Sequence, residues 1–341
     1  MEYEHDMPHR TFVRGSPRKF VRMTYGLAAL SLCGCEATQS ALKPAGPAAA
    51  KIAVLSWVMI IAFTLVFLLV CLLLAVALFH RSRNERAAPP LGRTGFVVAG
   101  GIVLPVVVVI PLLIYSLETS HALQIPEESL TVRLTGHQWW WEVEYPDQNI
   151  VTANQIHIPV GQPVRLELTS ADVIHSFWVP ELNGKRDMIP GDLNEFWIQA
   201  DRPGIYRGQC AEYCGLQHAH MALVVVALPP DEFLEWAAGR NEPESVPATE
   251  QQQNGLAVFL KAGCSRCHTI RGTPADGKIG PDLTHIGSRE TLGAGTVPNI
   301  RGNLMGWIGD PGAVKPGVRM PATYLPPEEL DMLATYLESL K

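Results

Sequence analysis

Polar side chains vanish from this chain in two places. Residues 52–79 hold no ionisable group except the thiol of Cys71, and residues 94–117 hold none except the phenol of Tyr115. Each run exceeds the roughly 20 residues that cross a bilayer, so segments 51–80 and 94–117 are expected to be transmembrane helices. Pro105 and Pro111 interrupt the second run, which membrane helices tolerate when neighbouring groups satisfy the freed carbonyls. Beyond them the pattern changes to short alternating segments, as in Leu130-Thr-Val-Arg-Leu-Thr135 and Val164-Arg-Leu-Glu-Leu-Thr169, punctuated by Pro and Gly. Residues 125–228 therefore read as an all-β domain. Residues 229–253, with one short amphipathic piece around Trp236 and then many Glu, Pro and Gln, read as a linker. Residues 254–341 are Gly-rich loops between two helical patterns, the second placing Leu330, Leu333, Ala334 and Leu337 on one face.

Charge adds an orientation. Arg81, Arg83, Arg86 and Arg93 crowd the connection between the two apolar runs, which puts it in the cytoplasm and both chain ends outside. A net charge of −6 gives no reason to expect nucleic acid as a partner. Upstream, Arg18, Lys19 and Arg22 precede a short apolar stretch and then Leu32-Cys33-Gly34-Cys35. Residues 1–35 resemble a leader ending in a lipoprotein-type signal, with Cys35 as the lipid-modified residue rather than Cys33. The other reading is a plain leader whose cysteines have no role.

The remaining cysteines form two spaced pairs. Cys264-Ser-Arg-Cys267-His268 is the attachment sequence of c-type haem, in which two thiols bond the porphyrin and the histidine ligates iron. A disulfide or a zinc pair is the alternative for such spacing on an outer face; the adjoining histidine argues against the first, and the lack of a following second ligand pair against the second. Upstream, Cys210-Ala-Glu-Tyr-Cys214 continues to His218 and Met221, a run of soft and imidazole ligands that suits copper. A second thiolate in the same loop can bridge two copper ions, and His175, at the start of a strand-like segment, is the natural distant ligand. His137, His157 and His220 lie near these motifs and read as structural or solvated. The three tryptophans Trp139, Trp140 and Trp141 alternate sides if extended, so at least one belongs to a core.

Together the motifs Gly136-His-Gln-Trp-Trp-Trp141, His175-Ser-Phe-Trp-Val-Pro180, Asp187-Met-Ile-Pro-Gly-Asp-Leu-Asn194 and Cys210 through Met221 resemble subunit II of the haem–copper cytochrome c oxidases. The resemblance implies a membrane-anchored multidomain protein: a two-helix transmembrane hairpin, an all-β cupredoxin-like Greek-key domain and an all-α cytochrome c domain. It also implies a dinuclear CuA centre held by His175, Cys210, Cys214, His218, Met221 and the carbonyl of Glu212. The Glu212 carboxylate and Asp187 would face a magnesium ion shared with subunit I, and Trp139 would be the port through which electrons reach copper. All five side-chain copper ligands are present, which separates this chain from quinol oxidases that lack the centre.

Residues 254–341 resemble a class I cytochrome c fused behind that subunit. The resemblance makes His268 the proximal iron ligand, Pro281 the residue whose carbonyl orients it, and Met320 the sixth ligand, with Met305 as competitor. The implied partners are oxidase subunit I and the other subunits, the inner membrane, and a cytochrome c or other donor; electrons would run from donor to haem c, to CuA, to subunit I. One departure stands out: no acidic residue lies between Glu85 and Glu118, where family members often carry a proton-channel glutamate near the position of Val98. Two other classes share parts of this pattern, a CuA and haem c subunit of a nitric oxide reductase and a non-enzymatic copper redox protein.

Overall fold

A computed structural model describes residues 39–80, 90–121, 123–126, 129–241 and 247–341. Cys33, Cys35, Arg81, Arg83 and Arg86 lie outside the described residues. Helix α1 spans Pro47–His80. The second span begins as α2 (Pro90–Val98), continues through a π-helical stretch (Ala99–Val103) and ends as α3 (Leu104–His121). The wide turn falls where Gly100 and Gly101 precede Pro105, whose missing N–H leaves the regular ladder one donor short. The apolar windows of both spans are 0% buried, with mean hydropathies of 3.2 and 2.9. A core helix of a soluble protein would hide those side chains; here they face outward all round, as lipid-facing helices do.

Helix α1 starts earlier than the expected residue 51, and the reason is packing. Ala45, Ala48, Ala49 and Ala53 are buried, and the amides of Ala45 and Ala49 donate to the carbonyls of Glu181 (2.7 Å) and Leu182 (3.2 Å). Small side chains let the helix start lie directly on the β domain. At Gly46 a Cβ would fall 2.1 Å from the Gln199 carbonyl oxygen.

The β domain is a sandwich of two five-stranded sheets. One has β1 (Leu130–His137), β2 (Trp140–Tyr145), β3 (Ile150–Ala153), β5 (Val164–Ser170) and β8 (Asn194–Ile198), in the order β3-β2-β1-β5-β8. The other orders β4 (Gln155–Pro159), β10 (Ala222–Leu228), β9 (Gly204–Cys210), β6 (His175–Trp178) and β7 (Lys185–Met188). Strand β5 buries every second residue, and Val164, Leu166 and Leu168 meet Val132 and Leu134 of β1 in one core. That period-two burial is what the alternating sequence requires.

Residues 229–253 are not a simple linker. Helix α4 (Pro230–Asn241) folds back on the sandwich, where Trp236 stacks on His157 with ring centroids 4.2 Å apart and meets Tyr145 edge-on. Burial drives the His157 pKa down to about 3, so it is a neutral packing residue. Helix α5 (Glu250–Lys261) also begins before residue 254, because Thr249 and Gln252 form a reciprocal capping box. Of the expected linker only the stretch around 242–249 connects the two domains, and residues 242–246 lie outside the described residues.

Helix α5 crosses the last helix, and between them come α6 (Arg301–Gly309) and α7 (Pro311–Val314). The last helix, α8 (Pro327–Ser339), buries Leu333, Ala334, Tyr336 and Leu337 against Val258 and Phe259. The crossing is tight at Gly255, where a Cβ would sit 2.3 Å from the Met332 carbonyl oxygen and 2.6 Å from Tyr336 Cβ. Gly255→Val is therefore expected to destabilise this domain by about 1–3 kcal/mol or more. Thermal melting followed at the haem band would show it as a lower Tm. An unchanged Tm would mean that the crossing has room for a side chain at this position.

Candidate metal centres

Strand pairing assembles the first centre. Strands β6 and β9 are neighbours with Phe177 opposite Cys210, so His175 and Cys210 approach at one end of the sheet. The β9–β10 connection then folds over that end, with a short 3-10 turn at His218–His220, and returns Met221 to Cys210 through an N–H···O bond of 2.9 Å. The sulfurs of Cys210 and Cys214 lie 3.7 Å apart. His175 Nδ1 is 3.9 Å from Cys210 Sγ, His218 Nδ1 is 3.7 Å from Cys214 Sγ, and Met221 Sδ is 3.8 Å from Cys214 Sγ. The Glu212 carbonyl oxygen stands 3.2 Å from Cys210 Sγ. His175, Cys210, Cys214 and Met221 are buried and His218 is half-buried.

The electrostatics fit a cation. The Cys214 thiol, a hydrogen-bond partner 3.7 Å away, holds Cys210 well below the ordinary thiol range, and the same contact pushes Cys214 up. The contact thus favours losing one proton of the pair ahead of the other, and binding a metal displaces whatever proton remains. Burial would lower the His175 pKa, but its contacts with Cys210 and Asp172 outweigh that and raise it. This donor set of two sulfurs, two imidazoles and a thioether suits copper.

Asp172 was not legible as a site residue. Its Oδ1 lies 3.0 Å from His175 Nε2, which fixes the ring so that Nδ1 faces the sulfurs. Burial alone would raise the Asp172 carboxyl, but hydrogen bonds from His175 and the amides of Val173 and Gln138 hold it below its usual value. Gly136 completes the cradle, because a Cβ there would lie 2.8 Å from His175 Cδ2. Asp172→Asn is expected to weaken copper binding roughly 10- to 100-fold, the usual effect of losing such a partner. A competition titration with a chelator measures this, and unchanged affinity would remove Asp172 from the site.

The second centre is laid out along one loop. Cys264–Arg266 form a 3-10 turn, and Cys264 and Cys267 are free, half-buried thiols. His268 Nδ1 lies 2.8 Å from the Pro281 carbonyl, which leaves Nε2 as the nitrogen that could ligate a metal. Burial lowers the His268 pKa, favouring the neutral imidazole that metals need. Gly280 lies flat against the ring, where a Cβ would come within 2.6 Å of Cε1. Met305, on α6, packs against the domain's hydrophobic core, whereas Met320 is half-buried in the loop after α7.

Asp187 and Glu212 are not part of the metal-ligating cluster found among the described residues, which comprises His175, Cys210 and Cys214. Asp187 pairs across strands with Ser176, and the Glu212 carboxylate accepts the Tyr213 amide at 3.2 Å. Trp141 fills the core and Trp140 stacks on His137, as alternation requires. Trp139 is only 8% exposed, so the expected port is not an open surface. Its indole donates to the Cys214 carbonyl at 3.0 Å, and Gly317 of the haem domain lies over its ring.

A two-span anchor, a cupredoxin sandwich with a sulfur–imidazole cluster and a C-x-x-C-H domain together define a membrane-bound electron-transfer subunit. The family model described as cytochrome c oxidase subunit II, periplasmic domain, matches residues 148–228, and that of cytochrome c matches residues 252–341. Cytochrome c oxidase subunit 2 of Alkalihalophilus pseudofirmus is 33% identical over 92% of this chain and 94% of its own. That of Bacillus subtilis is 31% identical over 92% and 96%. The solved periplasmic domain of subunit II of cytochrome oxidase from Bradyrhizobium japonicum aligns with 34% of this chain and 96% of its own, at 34% identity and a TM-score of 0.34. The chain belongs to the cytochrome c oxidase subunit II family. It is a membrane-anchored subunit of an oxidoreductase, with copper- and haem-type domains on the periplasmic side, and it works with other oxidase subunits.

Proposed function

We propose that this chain carries electrons from a donor into a bacterial inner-membrane cytochrome c oxidase. His175, Cys210, Cys214, His218, Met221 and the Glu212 carbonyl would hold dinuclear CuA. Cys264 and Cys267 would bond one haem c covalently, with His268 and Met320 as axial ligands and Pro281 orienting the imidazole. The chemistry these groups supply when bound is one-electron transfer, from donor to haem c to CuA and on to the haem–copper centre of subunit I, where oxygen is reduced and protons are translocated. The observation that carries this reading is the pair of buried sulfurs 3.7 Å apart with an imidazole beside each.

The protein's own residues supply position and dryness. Asp172 and Pro281 each fix one imidazole. Trp139 and Gln138 both donate to the Cys214 carbonyl and so hold the copper loop against β1 and β2. A cleft of about 530 Å³ opens between the start of α1 and the copper loop, lined by Ala49, Ile52, Trp178, Lys185, Cys210 and His218. Its place beside the membrane helix supports a membrane-embedded partner on that side. A magnesium ion at Glu212 and Asp187 would draw further ligands from that partner; near Val98, either another subunit supplies the missing carboxylate or protons do not enter by that route. Lipidation at Cys35 would add a third anchor, readable by mass spectrometry of the mature N-terminus.

Metal analysis and electron paramagnetic resonance of the purified full-length subunit test the main reading. Two coppers sharing one unpaired electron are expected, with one haem c; a single blue-type copper overturns it. Met320→Ala should keep the haem attached while lowering its potential and admitting small ligands, because thioether and axial bonds are separate anchors. His268→Ala should instead impair haem maturation. Should Met305→Ala lose the axial signature while Met320→Ala keeps it, the axial assignment moves to Met305.

A further inference from the structure

Lys315 is a lysine with 1% exposure in the loop that follows α7, far in sequence from the copper domain it touches. Its Nζ donates to the carbonyls of Trp139 (2.9 Å), His220 (2.7 Å) and Gly293 (2.7 Å). Two of these belong to the copper domain and the third to the haem domain. Three convergent acceptors match the three donors of an ammonium group, a fit that an amide or hydroxyl side chain would not reproduce. Burial lowers its pKa to about 7.

Other contacts surround this point. Gln217 Nε2 donates to the Pro316 carbonyl at 2.8 Å, the Ala222 amide donates to the Ala294 carbonyl at 2.9 Å, and Arg319 reaches Gln138 Oε1 at 3.0 Å. Gly317 closes over the Trp139 ring. Burying a lysine is costly unless it is fully hydrogen-bonded, so its three bonds must form together or be lost together.

We propose that Lys315 is an interdomain latch, which holds the haem domain on the copper domain so that Trp139 is kept for the chain's own cytochrome and closed to diffusing proteins. The connection around residues 242–249 then sets where the haem domain starts, while the latch sets where it rests. The apolar stem of Lys315 fills the gap and its head is read by main-chain carbonyls, so the dock depends on backbone shape at Trp139 and His220.

The test uses the full-length, haem- and copper-loaded subunit in detergent, with a protease site replacing residues 242–246. After cleavage the wild-type haem fragment should stay with the membrane fragment on size exclusion, and Trp139 should remain protected from hydroxyl-radical labelling. Lys315→Met, similar in length but without donors, should weaken retention by roughly 100-fold and expose Trp139, given the strength of hydrogen bonds to charged groups. If that variant loses its haem band through misfolding, Gln217→Ala takes its place, with an expected loss of roughly 5- to 10-fold from one uncharged bond. A wild-type fragment that leaves freely on cleavage, or a Lys315→Met fragment retained as tightly as wild type, overturns the latch. In the substituted case, so does a Gln217→Ala fragment retained as wild type. Neither readout requires electron transfer, so failure of the latch and failure of the proposed relay are separable.

Discussion

Cys214→Ser should abolish the shared-electron copper signal and leave the haem domain intact. Serine keeps the size of cysteine but offers no soft thiolate, so Cys210 is left as the single thiolate of the site. Cys214 also lies within reach of His218 and Met221, and its carbonyl receives Trp139 and Gln138. Losing its sulfur leaves His218 and Met221 without the atom they converge on. Copper affinity should fall by more than the roughly 10- to 100-fold expected for Asp172→Asn. Donor-driven oxygen uptake should fall in parallel, while haem content stays constant because residues 252–341 have their own core. In the unsubstituted protein, affinity for copper should rise with pH, because thiolates are the ligands and any proton left on the cysteine pair competes with the metal. A variant with two coppers and an unchanged resonance would show that Cys214 is not a ligand.

Deleting the haem domain has the second largest expected effect. The cut belongs after residue 241 rather than within α4, because α4 is part of the copper domain through Trp236. Copper content and membrane insertion should survive. Turnover with the natural donor should drop by roughly 100-fold, the order of advantage that a tethered partner commonly holds over a diffusing one. Trp139, 8% exposed in the intact chain, would lose its cover. A soluble cytochrome c should then restore part of the rate, with a strong dependence on ionic strength if charge steers the encounter. Oxygen uptake by the truncated enzyme equal to that of the intact enzyme, at matched donor concentration, would remove the haem domain from the electron path.

Much of the layout was legible because the signals are local. A membrane span is a matter of length and the absence of charge, and both runs are helices with outward-facing apolar side chains. A half-buried strand writes its register into alternate residues, which is why β1 and β5 could be read. The C-x-x-C-H and Cys-x-x-x-Cys spacings put most candidate ligands of each centre close together in sequence, with His175 and Met320 as the distant ones. Helix α4 was harder: only a short amphipathic piece was legible, and what holds the helix to the sandwich is Trp236 against His157 and Tyr145, far away in sequence, with Phe233 and Ala237 buried beside it. The start of α5 was written in Thr249 and Gln252, a local capping signal hidden inside a polar stretch.

The sequence by itself determined the anchor and the two domain types, and it offered the candidate side chains for copper and haem, because most of these signals depend on residue identity at short spacing. Only the tertiary structure decided which groups support them. Asp172 becomes the partner of His175 because the loop before β6 turns back on itself, and Pro281 meets His268 across a loop that no pattern specifies. Trp139 reads as a surface residue in one dimension and is covered in three, because Lys315 is brought from 176 positions away to its carbonyl. Hydrogen bonds to main-chain oxygens leave no trace in side-chain identity at the accepting end. Contacts of that kind exist only once the chain has folded.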